Sequence, residues 1–243
     1  MYISVPRLNA DYLANMSIDV LANYFSIPLD RDEEISTGIY VSKPGPLRPF
    51  AEMIHRVLTE SAEKLQQLKL DDFGAFVVAN LRKHADDPPS AAHLVERLVT
   101  TFPAFDDHQK SRDGHEVWFL KRAQLAVASY YDRFHETDDS FKFTDMDELT
   151  VMTDNVLPCV LRAMGILEYD AELAAHIDGA QELPAGDREC DIRAGAIVAC
   201  DRIVAVARGR ISVHQLDMYL WRVGKEPRFR GLERHATRGT FFY

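Results

Sequence analysis

This chain has little of what would cross-link a protein, anchor it in a bilayer or bind it along a nucleic acid. Cysteine occurs three times in 243 residues, at Cys159, Cys190 and Cys200. The three are widely spaced, odd in number and form no CxxC, so neither a disulfide framework nor a structural zinc site is expected and a reducing compartment fits. The longest apolar windows, residues 194–200 and 203–207, are separated by Asp201 and Arg202. Neither approaches the roughly 20 apolar residues of a membrane helix. The first six residues, Met1 to Pro6, lack the basic stretch and apolar run of a signal peptide. Positive charge is also scarce: 28 Lys and Arg stand against 38 Asp and Glu, a net charge of −10. That balance argues against an extended nucleic-acid-binding surface, because phosphate backbones reward dense Lys and Arg. It leaves room for a small anionic substrate, since one pocket can be basic inside an acidic protein. With 47% hydrophobic residues, the chain has the composition of a globular protein, and a cytoplasmic one is expected.

What is present is helical periodicity. Met53, Ile54, Val57, Leu58, Ala62, Leu65 and Leu68 recur at three- and four-residue spacing and predict an amphipathic helix over residues 49–70. Residues 71–82 and 91–101 repeat the pattern, the second stopped by Phe102-Pro103. Residues 115–134 carry Val117, Leu120, Gln124, Val127, Tyr131 and Phe134 on one side. A helix over 148–164 follows, with Gly165 placed to end it, then Asp170 as a cap for 171–177, ended by Gly179. A long helix over 189–207 and a last one over 213–223 complete the set. Strand signals are confined to residues 38–42 and 241–243. No linker, repeat or low-complexity segment is evident, so the expectation is an all-α protein in which residues 1–243 form a single helical domain.

Two ionisable residues fall where a packed core is expected. Lys121 lies four residues after Val117 and three before Gln124, on the apolar stripe of its helix. Either its stem covers apolar surface while the ammonium reaches water, or it binds an anion, whether a substrate phosphate or a nearby carboxylate. Asp154 sits four residues before Pro158, which has no N–H to give to its carbonyl. Either a helix starts near Asp154 with Pro158 in its first turn, or a running helix kinks there. As a helix cap Asp154 would be structural; as a fixed carboxylate at a helix start it would also suit catalysis.

A third segment, Leu216 to Trp221, puts Asp217 and Trp221 four residues apart on a helix. An aromatic face stacks on a planar base, and a carboxylate accepts N–H bonds from a guanine-like edge. The competing reading is a core helix whose Asp217 pairs with Arg222 or Lys225. The tail from Arg222 to Arg238 holds Lys225, Arg228, Arg230, Arg234 and His235, offset by Glu226 and Glu233. Such a run is either a solvated face paired to acids such as Glu189 and Asp191, or a phosphate site. No P-loop, Rossmann fingerprint, HExxH or GxSxG is present, and the nine histidines show no metal-ligand spacing, so neither metal nor cofactor is expected.

Taken together these residues resemble the queuosine 5′-phosphate N-glycosylase/hydrolase family, the queuosine salvage proteins. The matching pieces are Phe102-Pro103 with Phe105-Asp106, the run Phe119 to Gln124, and Asp154 with Leu157-Pro158. Gly165 with Tyr169, Ile192-Arg193, Leu216-Asp217 through Trp221, His235 and Tyr243 follow in order. The resemblance is dense from about residue 102 onward and faint over residues 10–70. It implies a helical fold similar to the helix-hairpin-helix DNA glycosylases and hydrolysis of queuosine 5′-phosphate to queuine and ribose 5-phosphate. It also implies that Asp154 is the catalytic aspartate, Lys121 the active-site lysine, and that Met152, Thr153, Asp217, Met218 and Trp221 lie on segments lining the base pocket. The substrate would be a small molecule, with neither a membrane nor a stably bound nucleic acid as partner. Where the chain departs from the family pattern is at the N-terminus, where an additional aromatic-rich region of the family is expected to be absent. The alternatives are a glycosylase acting on DNA or RNA bases and a non-catalytic helical binding protein that has lost part of its pocket.

Overall fold

The computed structural model describes residues 7–240 and Phe242. It is mostly helical, 54% helix against 9% strand. The strand content corrects a purely all-α expectation and lies in two antiparallel two-stranded hairpins. The chain divides into two compact units, one ending at Ala79 and the other running from Asn80.

In the first unit, α1 (Ala10–Ala14) and α2 (Ile18–Phe25) start at Asn9 and Ser17, whose side chains accept the N–H groups of Tyr12 and Val20. The hairpin of β1 (Asp30–Ser36) and β2 (Ile39–Pro44) turns at Gly38, where φ is 76°. β2 takes in Ile39 to Ser42 of the strand expected over 38–42, with Gly38 in the turn before it. β1 was not expected, because Asp30–Ser36 shows no apolar alternation and both faces are largely exposed. Next come α3 (Arg48–Gln67) and α4 (Phe73–Ala79). A small core of Met16, Leu21 and Ala51, flanked by Ile54 and Leu58, joins α1, α2 and α3.

The second unit begins with α5 (Ala91–Thr101), whose start is fixed by Asp145: its carboxylate accepts Ser90 Oγ at 2.6 Å, Ala91 N at 2.7 Å and Ala92 N at 3.1 Å. The helix ends where expected, before Phe102-Pro103. A short hairpin follows, β3 (His108–Lys110) with β4 (Glu116–Trp118), pairing His108 with Trp118 and Lys110 with Glu116. This corrects the helix expected from residue 115. After β4, the N–H groups of Phe119 and Leu120 both bond the carbonyl of Asp107, and Leu120 takes a left-handed φ of 50°. Helix α6 (Lys121–Phe134) therefore starts only at Lys121.

A second correction is α7 (Val156–Ala163), where a helix over 148–164 was expected. Residues 149–155 are not helical because their main chain is taken by side chains from three other helices. Thr150 N donates to Gln124 Oε1 at 2.7 Å, Met152 N to Asp217 Oδ2 at 2.7 Å, and Thr153 O accepts from Arg193. The helix starts just after Asp154, with Pro158 in the first turn, where a missing N–H leaves no intrahelical bond unmade. Gly165, at φ 73°, follows its end.

Helix α8 (Ala171–Asp178) is capped by Asp170 and ended by Gly179, as the sequence predicts. The long α9 (Asp187–Ala207) and α10 (Val213–Val223) follow, α10 opening on a reciprocal capping box between Ser212 and Gln215. Last is α11 (Pro227–Arg230). The core of this unit is the meeting of α7, α9 and α10 around Leu157, Leu161, Ala196, Cys200, Leu216 and Leu220. Each buried leucine there stabilises the fold by about 1.5–3 kcal/mol. The strand expected over 241–243 involves Phe241 and Tyr243, which lie outside the described residues.

Candidate functional site

Lys121 and Asp154 meet. The ammonium donates to Asp154 Oδ2 at 2.9 Å, with only 13% and 11% of the two side chains exposed. The other carboxylate oxygen, Oδ1, accepts the N–H of Val156 at 2.6 Å, the first residue of α7. Each oxygen thus has its own donor, and the carboxylate cannot rotate without breaking one of them. Of the two readings of Lys121, pairing with a carboxylate is the one observed. Asp154 bonds the start of α7, while Asn155 occupies the cap position itself.

The lysine and the aspartate are placed by one buried network. Arg193, on α9, gives both terminal nitrogens to Asp107, at 3.0 and 2.5 Å, and gives Nε and Nη2 to Thr153 O at 3.2 and 3.1 Å. Glu189 lies 3.5 Å from Arg193 Nη1 and also accepts from the Gln109 side chain, and the Arg193 guanidinium carbon lies over the Phe119 ring, 4.0 Å from its centroid. Gln124 adds a clamp, donating to Phe119 O at 2.9 Å and accepting from Thr150 N.

Asp217 is buried and does not pair with Arg222 or Lys225. Its Oδ2 accepts from Met152 N, and the side chain lies among the same charges as Asp154 and Lys121. Burial pushes its carboxyl up to about 6, the Asp154 charge pushes the same way, and the Met152 N–H opposes both. Met152 and Thr153 are themselves buried, 5% and 0% exposed, so they shape the site mainly through their main chain. The Thr153 hydroxyl has no hydrogen-bond partner among the described residues.

Met218 and Trp221 lie elsewhere on α10. They line an aromatic cavity of about 770 Å³ with Tyr131, Phe143 and His214. His214 Nε2 bonds the Asp132 carboxylate at 2.9 Å, leaving its buried Nδ1 without a hydrogen-bond partner among the described residues. Lys225 Nζ rests 3.0 Å above the Trp221 ring. Glu189 and Asp191 do not neutralise the basic tail: Glu189 belongs to the Arg193 network, and Asp191 faces Arg112 at 3.9 Å.

The residues that sequence reasoning missed are Asp107, Gln124 as a clamp, and Arg193 and Glu189 as an ion pair. The available signal was an i,i+4 Glu–Arg pair on the helix that buries Cys190 and Cys200. Among the described residues, no group of three or more His, Cys, Asp or Glu could hold a metal ion, and no helix is long and apolar enough to cross a membrane.

The fold and site define a helical protein with a fixed, nearly dry carboxylate at a helix start, an arrangement suited to facing a developing positive charge. Residues 5–243 match the family described as Queuosine salvage protein, and the chain belongs to that family. It is 31% identical over 243 residues to a queuosine 5′-phosphate N-glycosylase/hydrolase of Sphaerobacter thermophilus. It is 27% identical over 252 and 253 residues to proteins of the same name from Mus musculus and Bos taurus. In each case the alignment covers 98% of this chain and 67% of the relative.

Proposed function

We propose that this protein hydrolyses the N-glycosidic bond of queuosine 5′-phosphate, releasing queuine and ribose 5-phosphate, with Asp154 as the catalytic carboxylate. The observation that carries the reading is the buried Lys121–Asp154 pair at the start of α7, in a chain of this family. Cleavage of such a bond passes through an oxocarbenium-like sugar, positive at C1′. A carboxylate held by an ammonium and a helix N–H stabilises that charge strongly, because little water shares the site. As the C1′–N bond breaks, its electron pair leaves with the base. Water adds to C1′, and its proton balances the nitrogen of the departing queuine.

Queuine is a 7-deazaguanine and lacks the ring N7 that purine hydrolases protonate. Help for the leaving group then falls to the pyrimidine edge and to stacking. Asp217, titrating at about 6, is the group we assign to that edge, and Trp221 to the stacking face. Lys121 orients Asp154. We also read the helical architecture as that of the helix-hairpin-helix glycosylases. A cytoplasmic enzyme suits three buried, unbridged cysteines.

The test is incubation of the purified chain with queuosine 5′-phosphate, with free queuine followed by chromatography. Asp154→Asn is expected to lower turnover by about a thousandfold or more while the far-ultraviolet circular dichroism stays unchanged. Near-normal queuine release from that variant would remove Asp154 from the mechanism. Release from a queuosine-containing tRNA but not from the nucleotide would move the protein to the nucleic-acid glycosylases.

A further inference from the structure

We propose that strand β2 is a self-association edge, pairing antiparallel with β2 of a second copy of this chain to give a four-stranded sheet across a twofold axis. The surface lies in the first unit and stands apart from the glycosidase reading above. β1 and β2 form a two-stranded sheet, and among the described residues no third strand joins it. A hairpin of two strands is marginal in water without a further strand or a helix to pack against. In an antiparallel pair every second residue points its N–H and C=O away from the partner strand, so each strand keeps one open edge. β2 is also apolar at the surface: Ile39 is 55% exposed, Tyr40 61% and Val41 40%.

Charge decides which edge can meet its own copy. β1 holds Asp30, Asp32, Glu33 and Glu34 against Arg31 alone. Set against its own image it would place carboxylates opposite carboxylates, which destabilises a sheet. A register shift between Glu34 and Ser36 interrupts β1 as well. Charges and bulges are the devices that close an edge to pairing. β2 is not closed in either way. It contains no carboxylate, its one cation, Lys43, is held by Glu33 of β1 at 2.9 Å, and its proline is the last residue. An open β2 beside a closed β1 gives a dimer that stops at four strands instead of a fibre.

The register follows from which residues can pair. Gly38 turns the hairpin and Pro44 has no N–H to give, which leaves residues 39–43 with Val41 at their centre. A twofold axis there sets Val41 against its own copy, Ile39 opposite Lys43 and Tyr40 opposite Ser42. Ile39 and Val41 share one face of the strand, so the two copies form a single apolar stripe of four side chains. The two lysines lie at opposite ends of the paired strands and do not repel each other.

The test is sedimentation velocity on the full chain, wild type and Val41→Lys, over a wide range of concentration. It is joined by cross-linking of Val41→Cys and Asp32→Cys with a copper–phenanthroline oxidant. Val41 lies opposite Glu33 across the hairpin, so the lysine suits the hairpin itself while setting two ammonium groups together at the axis. Wild type is expected to pass from monomer to dimer, and Val41→Lys to raise the dissociation constant about tenfold or more. Directly opposite residues bring their Cα atoms about 4.5–5.5 Å apart, within disulfide reach, so Val41→Cys should give a covalent dimer and Asp32→Cys should not. Cys159, Cys190 and Cys200 are buried and leave that readout clean. Wild type that stays monomeric throughout, a dimer as tight with the lysine as without it, or cross-linking no faster at position 41 than at position 32 would overturn the edge. Should Val41→Lys lose its far-ultraviolet circular dichroism, the two cysteine variants decide alone.

Discussion

Arg193 and Asp107 form a fully buried ion pair, each 1% exposed, that ties together the two segments bearing the lysine and the aspartate of the site. The main-chain carbonyl of Asp107 accepts the N–H groups of Phe119 and Leu120, directly before Lys121. The guanidinium of Arg193 holds the carbonyl of Thr153, directly before Asp154. The Lys121–Asp154 distance is therefore set from behind by a cation that touches neither residue.

Arg193→Lys should expose that dependence. One ammonium cannot span both Asp107 oxygens and the Thr153 carbonyl. Breaking a buried pair costs about 3–5 kcal/mol, and urea unfolding of the variant should show a loss in that range. The surviving folded protein should lose kcat more than it gains KM, since the Asp154 segment is released while the cavities persist. A variant as stable as wild type would show that the network is dispensable.

Lys121 and Asp154 should be strongly coupled. Lys121→Met leaves a nearly buried carboxylate with only the Val156 N–H, and Asp154→Asn leaves an ammonium with no anion. Each single change is expected to destabilise by about 2–4 kcal/mol, and the double variant by less than the sum. A double-mutant cycle in urea reads the coupling; additive losses would mean that the pair contributes nothing beyond its separate parts.

Much of this was readable from residues alone, and the rest was hidden for one physical reason. Helices α5 and α10, the cap at Asp170 and the stop at Gly165 follow from local spacing and capping chemistry, which sequence carries directly. Lys121 and Asp154 stood out because charge on an apolar stripe is costly. The false helical turns at residues 115–120 and 148–155 failed where main-chain groups bond to distant partners. Phe119 and Leu120 bond back across the β3–β4 hairpin to the Asp107 carbonyl, Thr153 O lies 40 residues from its partner Arg193, and Met152 N lies 65 from Asp217. Periodicity has no term for such bonds. Likewise Glu189 and Asp191 look alike in sequence, yet one is buried against Arg193 and the other faces Arg112 at the surface.

Asp217 and His235 should give opposite pH slopes to stability. The Asp217 carboxyl is raised to about 6, chiefly by burial and then by Asp154, against the Met152 N–H, His214 and Lys121. Its folded form prefers the proton, so its contribution is full below about 4 and is lost as pH rises through about 6. His235 is lowered to about 4, so its contribution is full above about 6.5 and is lost as pH falls through about 4. The two oppose each other over the same window. Relative to wild type, Asp217→Asn should gain about 2 kcal/mol of stability between pH 4 and 6, since Asn can still accept from Met152 N. His235→Gln should move the other way, relatively more stable at pH 4 than at pH 6. Urea midpoints of the three proteins at pH 4, 5, 6 and 7 provide the check. Parallel curves would show that neither group is perturbed by the fold.

Gly224 tests whether packing behind α7 governs the site. It follows α10 with an ordinary helical φ of −61°, so alanine meets no backbone strain there. What it meets is α7: an added Cβ would stand 2.6 Å from Val156 Cγ1 and 3.2 Å from Val160 Cγ2. Val156 is also the residue whose N–H holds Asp154 Oδ1, so displacing it moves the carboxylate. Two effects compete in Gly224→Ala. The loss of unfolded-state freedom stabilises by about 0.4–1 kcal/mol, whereas overpacking a tight contact costs about 1–3 kcal/mol. A clash with two branched side chains at the start of a helix should win, giving a net loss of about 1–2 kcal/mol and lower turnover. Adding Val156→Ala removes the methyl that Cβ strikes, so the double variant should be more stable than the sum of the two single changes and recover part of the activity. If Gly224→Ala is instead more stable than wild type, α7 yields freely and the Asp154 carboxylate is not positioned through Val156.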